Sequence, residues 1–172
     1  LAEICASYTG SHYDYSKMAA NIAVSSYHKE TNPSFSETMK LLAKDGIIND
    51  TFIKTMEEYG CEKVDAAIDH ERDFRFDYFA WRSLSEMSVT KTSEGVRVER
   101  PQHMYMRVAL WVTKSFDEAV EYYESLSKQL ISPATPIMIN SGTKIPQLAS
   151  CVLHYNNEDS RNGLLDTLRD IS

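Results

Sequence analysis

Tyr15, Met18, Ala19, Ile22 and Ala23 recur at helical intervals after Asp14, so the spacing predicts an amphipathic helix over about residues 14–29 with Asp14 as its N-cap. Asn32-Pro33 breaks it. Ser34 with Glu37 then forms a capping-box signature ahead of Phe35, Thr38, Leu41 and Leu42, and Gly46 is placed to end this second helix. Asp50 can cap a third helix carrying Ile53 and Met56 toward Gly60, and a shorter helical stretch follows around Val64, Ala67 and Ile68. Residues 69–87, DHERDFRFDYFAWRSLSEM, mix charges with Phe74, Phe76, Tyr78, Phe79 and Trp81 and read as an irregular segment that packs aromatics under a helix crossing. Ser93-Glu94-Gly95 sits between Ser88-Val89-Thr90 and Val96-Arg97-Val98, the pattern of a small exposed hairpin. Pro101 occupies the first position of a helix carrying Met104, Val108 and Trp111 to about Thr113. Ser115 and Glu118 make a second capping box before Phe116, Ala119, Val120, Tyr123 and Leu130, with the helix expected to end near Ile131.

The texture changes at Ser132. The stretch SPATPIMINSGTKIPQLASCVLHY holds three prolines and then a β-rich run, Leu148 to Leu153, that predicts one buried strand. Asp159 or Ser160 can cap a final helix through Leu164, Leu165 and Leu168. One strand cannot make a sheet, so this β-α unit is expected to begin something larger. Leu1 leading straight into helical pattern, and Ser172 closing on one, give the same expectation of a longer chain.

Composition narrows the function classes. The 172 residues are 42% apolar and 25% charged, the make-up of a folded globule, and a net charge of −7 leaves no basic footprint for nucleic acid. The apolar runs are far shorter than the roughly 20 residues that span a bilayer, so a soluble, cytoplasmic protein without a membrane partner is expected. Cys5, Cys61 and Cys151 are odd in number and widely spaced, which argues against a disulfide framework or a structural zinc site.

Phosphate-loop, dinucleotide-fold and H-E-x-x-H patterns are all absent. The histidines His12, His28, His70, His103 and His154 are scattered and read as solvated or core-edge imidazoles, with no metal ligand set. His70, Glu71 and Asp73 look like a charged turn whose carboxylates could hold a cation. Cys151, beside Ser150 and after a loop rich in small hydroxyls, is the most suggestive single residue: a redox or substrate-contacting thiol, or a core cysteine. Thr135, Ser141, Thr143 and Ser150 can donate to anionic oxygens or cap turns.

In order, and nearly from end to end, these segments resemble the large, catalytic subunit of class I ribonucleotide reductase. DYSKMAANIAVSSYHKET is similar to the helix after that family's N-terminal regulatory cone, IDHERDFRFDYFAWRSL to its aromatic crossing, and ERPQHMYMRVAL to its signature helix. ATPIMINSGTKIPQLASCVL resembles the substrate loop and first barrel strand, and EDSRNGLLDTL the start of the effector site.

The resemblance implies a mostly α chain. Residues 1–131 would form a helical N-terminal domain with a small β-hairpin near 88–99. Residues 132–172 would form the substrate loop, first strand and first helix of a ten-stranded α/β barrel left incomplete here. It implies that Cys151 is one of two redox cysteines that reduce the ribose 2′ position, that Ala134, Thr135, Ser150 and Cys151 contact substrate, and that Asp159 and Ser160 meet a specificity effector. Helix capping is an equal account of Asp159, and strict strand alternation would put Ser150 and Cys151 on opposite faces. The implied ligands are nucleotides, with a deoxynucleoside triphosphate or ATP (with Mg) as effector. The implied partners are the rest of the large subunit, a second large subunit, a small subunit whose dimetal centre supplies a radical, and thioredoxin or glutaredoxin. The family's radical cysteine and second redox cysteine have no counterpart here, so the chain alone should be inactive, and Cys5 and Cys61 are expected to pack in the helical domain. The rival reading is a non-catalytic helical binding or assembly module derived from the same fold.

Overall fold

The computed structural model describes residues 1–151, 153–155 and 158–171. Among these described residues ten α-helices follow one another: α1 (Ala2–Ser7), α2 (Asp14–Glu30), α3 (Phe35–Lys44), α4 (Asp50–Tyr59), α5 (Cys61–Ala66), α6 (Tyr78–Ser83), α7 (Pro101–Val112), α8 (Phe116–Ser127), α9 (Thr135–Asn140) and α10 (Arg161–Ile171). A 3₁₀ turn, His70–Arg75, precedes α6 and a π-helical turn, Leu84–Ser88, follows it. The fold is all-helical among the described residues.

Local signals set most helix ends. Ser34 Oγ accepts from Glu37 N–H at 3.2 Å, and Ser115 Oγ accepts from Glu118 N–H at 3.3 Å. Gly46 and Gly60 close α3 and α4 with φ of +80° and +91°, backbone that other residues adopt only under strain. Two caps fall one residue earlier than the pattern suggested. Asn49, not Asp50, caps α4 by accepting from Thr51 N–H, and Asp14 is the first residue of α2, behind Tyr13.

Four expectations are corrected. The segment 69–87, expected to be irregular, is largely helical turns, over 70–75 and 78–88, begun by Asp69 and Asp77 side chains that accept from Glu71 and Ala80 N–H. The hairpin near 88–99 reduces to a single antiparallel bridge, Lys91 with Arg97, closed by Thr92 N–H to the Val96 carbonyl, because Glu99 and Arg100 turn inward instead of extending the ladder. The helix α8 stops at Ser127, where Gln129 takes φ +61°, so Leu130 is exposed. No strand forms among the described residues of 148–153, which lack a second strand to supply ladder hydrogen bonds. Val152 of that run, and Ser172, lie outside the described residues.

The helix α7 is the axis of the body. Residues 101–110 are all buried, and α8, α4, α9 and both short turns pack on it. Phe35, Met39, Leu42, Phe52, Met56, Met104, Met106, Tyr123 and Leu126 form the centre of the core. Among the described residues no helix is long and apolar enough to cross a membrane.

Candidate functional site

A helix buried on all sides must satisfy any polar side chain it carries, and α7 carries three within its buried run: Gln102, His103 and Arg107. Arg107 is completely buried and forms an ion pair with the equally buried Glu99, Nε to Oε1 at 2.6 Å and Nη2 to Oε2 at 3.0 Å. Its remaining donors turn to the far side. Nη2 reaches the Met138 carbonyl at 2.9 Å, and Nη1 reaches the carbonyls of Ile139 (3.4 Å) and Ser141. These are the orphan acceptors at the C-terminal end of α9, where a cation is favoured and where α9 has no basic residue of its own. Glu99 is held in turn: its Oε2 accepts from Thr90 N–H at 2.6 Å, and its carbonyl accepts from the Tyr27 hydroxyl at 2.8 Å. Burial, then the Glu99 charge, pushes the Tyr27 phenol up, keeping it a neutral donor.

Arg100 does for α2 what Arg107 does for α9. Its Nη2 donates to the carbonyls of His28 and Thr31, and its Nε to Thr31 Oγ1, closing the end of α2. A second chain of hydrogen bonds runs across α7. Asp73 accepts from His28 Nε2 at 2.8 Å and from Gln102 Nε2 at 3.1 Å, and Gln102 Oε1 accepts from the Tyr123 and Ser127 hydroxyls. Asp73 is therefore spent on structure, and the charged turn is no cation site. His70 and His103 both direct Nε2 at the Pro33 carbonyl, at 3.0 and 3.3 Å, with their rings 5.1 Å apart. Burial lowers the His70 pKa, with Arg100 nearby acting the same way, and lowers that of His103 much further. Both are thereby neutral, with Nε2–H as donor and Nδ1 facing the interior without a protein donor.

The sequence-derived site residues lie outside this buried network. Ala134 and Thr135 begin α9, exposed, and Thr135 has no side-chain hydrogen bond to a described residue. Ser150 and Cys151 are exposed neighbours, 3.8 Å from Oγ to Sγ. Asp159 is exposed, while Ser160 caps α10 by accepting from Gly163 N–H at 3.0 Å. Among the described residues no hydrogen bond or ion pair joins the 134–135 pair to the 150–151 pair, or either to 159–160. Cys5 and Cys61 are half-buried in helices, and Cys61 packs against the core.

Sequence reasoning missed the Glu99–Arg107 pair. Its signal is a lone arginine inside the apolar run MYMRVALWV, a charge that must find a partner if that helix is buried. Thr135-Pro136 was a second missed signal, since a proline in the first turn marks the start of α9 just as Pro101 marks that of α7.

Comparison with known proteins gives these segments a context. Residues 74–146 match the family model "Ribonucleotide reductase, all-alpha domain". The chain is 37% identical to a ribonucleoside-diphosphate reductase large subunit of Arabidopsis thaliana, 40% to one of Variola virus and 38% to one of Dictyostelium discoideum. Each of those matches covers 98% of this chain but only 20–23% of the relative, so the chain spans about a fifth to a quarter of their length. Along nearly its whole sequence, then, the chain is similar to part of a ribonucleotide reductase large subunit, and the family's all-alpha domain is matched within its body of helices.

Proposed function

We propose that this chain works as the front part of a ribonucleoside-diphosphate reductase large subunit, in the cytoplasm, converting ribonucleotides to deoxyribonucleotides for DNA synthesis. The observation that carries the reading is that similarity to such subunits does not stop with the helical body but covers 98% of the chain, the Cys151 segment included. In this reading residues 1–131 are the helical domain and 132–172 open an α/β barrel, whose further strands would pair with residues 148–153 and cover the exposed leucines of α10. Ala134, Thr135 and Ser150 then bind the substrate, Thr135 holding the diphosphate.

Cys151 is one thiol of a redox pair. Loss of the ribose 2′-hydroxyl as water consumes two electrons and two protons, which a dithiol supplies as it closes to a disulfide. The second thiol, the radical cysteine and the radical itself come from the rest of the subunit and from a dimetal small subunit, and thioredoxin or glutaredoxin reopens the disulfide. Asp159 and Ser160 meet a deoxynucleoside triphosphate or ATP, bound with Mg, where two large subunits pair.

The test is reconstitution with the remaining barrel and the small subunit. Cys151→Ser should abolish dithiol-driven turnover while leaving nucleotide binding intact, and Asp159→Ala should weaken effector binding. Undiminished turnover by the Cys151→Ser protein would remove its assigned role. A chain that neither joins a barrel nor binds nucleotides would favour the assembly-module reading.

A further inference from the structure

The proposed diphosphate residues Ala134 and Thr135 sit at the free end of a short helix with little of its own to hold it. The helix α9 is six residues, about 9 Å long. None of its residues is fully buried, only Ile137 and Met138 pack partly on the core, and its start has no side-chain cap. What fixes α9 lies at its other end. Arg107 places all five guanidinium N–H groups, two on the Glu99 carboxylate and three on the carbonyls of Met138, Ile139 and Ser141.

The chain leaving α9 is then tied down at once. Gly142, at φ +73°, has no room for a side chain, since a Cβ would meet Phe52 at 2.9 Å and Arg107 Cγ at 3.3 Å. Its carbonyl accepts from Asn49 N–H, and Thr143 bridges Ile48.

The geometry points to Arg107, oriented by Glu99, as a positioning residue for nucleotide binding: it clamps the C-terminal end of α9 so that Ala134 and Thr135 are presented to the diphosphate of a ribonucleotide. Neither Arg107 nor Glu99 touches the substrate. A lysine would keep a charge opposite Glu99 but has three donors on one atom, and cannot fork to the carboxylate and cap three carbonyls together. The inference rests on the functional reading above, which assigns the diphosphate to Ala134 and Thr135.

The experiment uses the complete large subunit with its small partner and compares wild type, Arg107→Lys and the double variant Glu99→Met/Arg107→Met. The double change removes both charges together and keeps apolar volume, a replacement buried ion pairs often tolerate. Arg107→Lys preserves a counter-charge for Glu99 should the double variant fail to fold. The KM for a ribonucleoside diphosphate should rise about tenfold in the double variant and less in the lysine variant. The kcat at saturating substrate should stay within about twofold, the signature of lost uniform binding. Affinity for the deoxynucleoside triphosphate effector should not move, which separates lost positioning from a general loss of structure.

An unchanged KM in a folded variant overturns the positioning role. An equal loss of substrate and effector affinity overturns it too, by making Arg107 a general structural residue. If the wild-type subunit binds no ribonucleoside diphosphate, or Thr135→Ala leaves diphosphate affinity untouched, the functional reading fails first and the positioning role falls with it.

Discussion

From Asp14 to Gln147 the large apolar side chains mostly face one another, whereas after Leu148 they mostly face water. Phe35, Met39 and Leu42 are fully buried, while Leu153 is 100%, Tyr155 82% and Leu168 63% exposed. Yet the two regions use the same local grammar. Ser34 caps α3 and Ser160 caps α10 through the same hydroxyl-to-N–H bond, and both helices carry an apolar stripe. Caps and periodicity suffice to form a helix, and burial is a separate matter that depends on what lies across from it.

The sharpest way to break the comparison is Arg107→Ala, which leaves the buried Glu99 carboxylate without its cation. It should destabilise the body by about 3–5 kcal/mol in urea unfolding, whereas Arg161→Ala, at the exposed start of α10, should stay within about 0.5 kcal/mol. Met39→Ala should cost about 2–5 kcal/mol through the cavity it opens, and Leu165→Ala in the same 172-residue chain should again cost about 0.5 kcal/mol or less. A large effect of Leu165→Ala would mean that α10 has found a partner in solution.

A pH titration adds a chemical contrast. His70 and His103 are held neutral by burial, facing Arg100, His28 and Asp73, so their folded pKa values lie below the ordinary 6.5. The unfolded chain therefore binds more protons as pH falls, and stability present above about pH 6.5 is lost below it, by up to about 1.4 kcal/mol per pH unit per histidine. His103→Gln should flatten that slope between pH 7 and 5.5 in urea midpoints. The smallest expected effect is local: Ser160→Ala should weaken α10 by about 1 kcal/mol. Amide exchange across residues 163–167 should report it while the urea midpoint of the body stays put.

What was legible in the sequence was what neighbouring residues decide. Ser34, Ser115, Gly46, Gly60 and Pro101 mark helix ends through bonds to residues within a few positions, and each does so in the structure. Less legible were the segments that distant residues decide. Residues 70–88 coil because Arg72 reaches Glu124 and because Trp81 and Phe76 find the core, contacts that the mixture of charges and aromatics did not announce. Glu99 and Arg107 are separated by the start of a helix, and α9 becomes a fixed element through an arginine 31 and 32 residues before the Met138 and Ile139 carbonyls it reaches. Of the candidate site, Ser160 as a cap was readable because capping is local. Roles for Ala134, Thr135, Ser150, Cys151 and Asp159 came from family resemblance, since nothing in their immediate neighbourhood demands that chemistry.

The acceptors around Arg107 also bear on how the body assembles. They arrive from two places, residue 99 and residues 138–141, and the carboxylate is itself steadied through residues 27 and 90. Until all are present, closing the apolar helices around α7 would trap a guanidinium with unmet donors. Partly folded forms are penalised by that one charge, and the segments become mutually dependent: docking α9 and sealing the core around α7 are a single cooperative event.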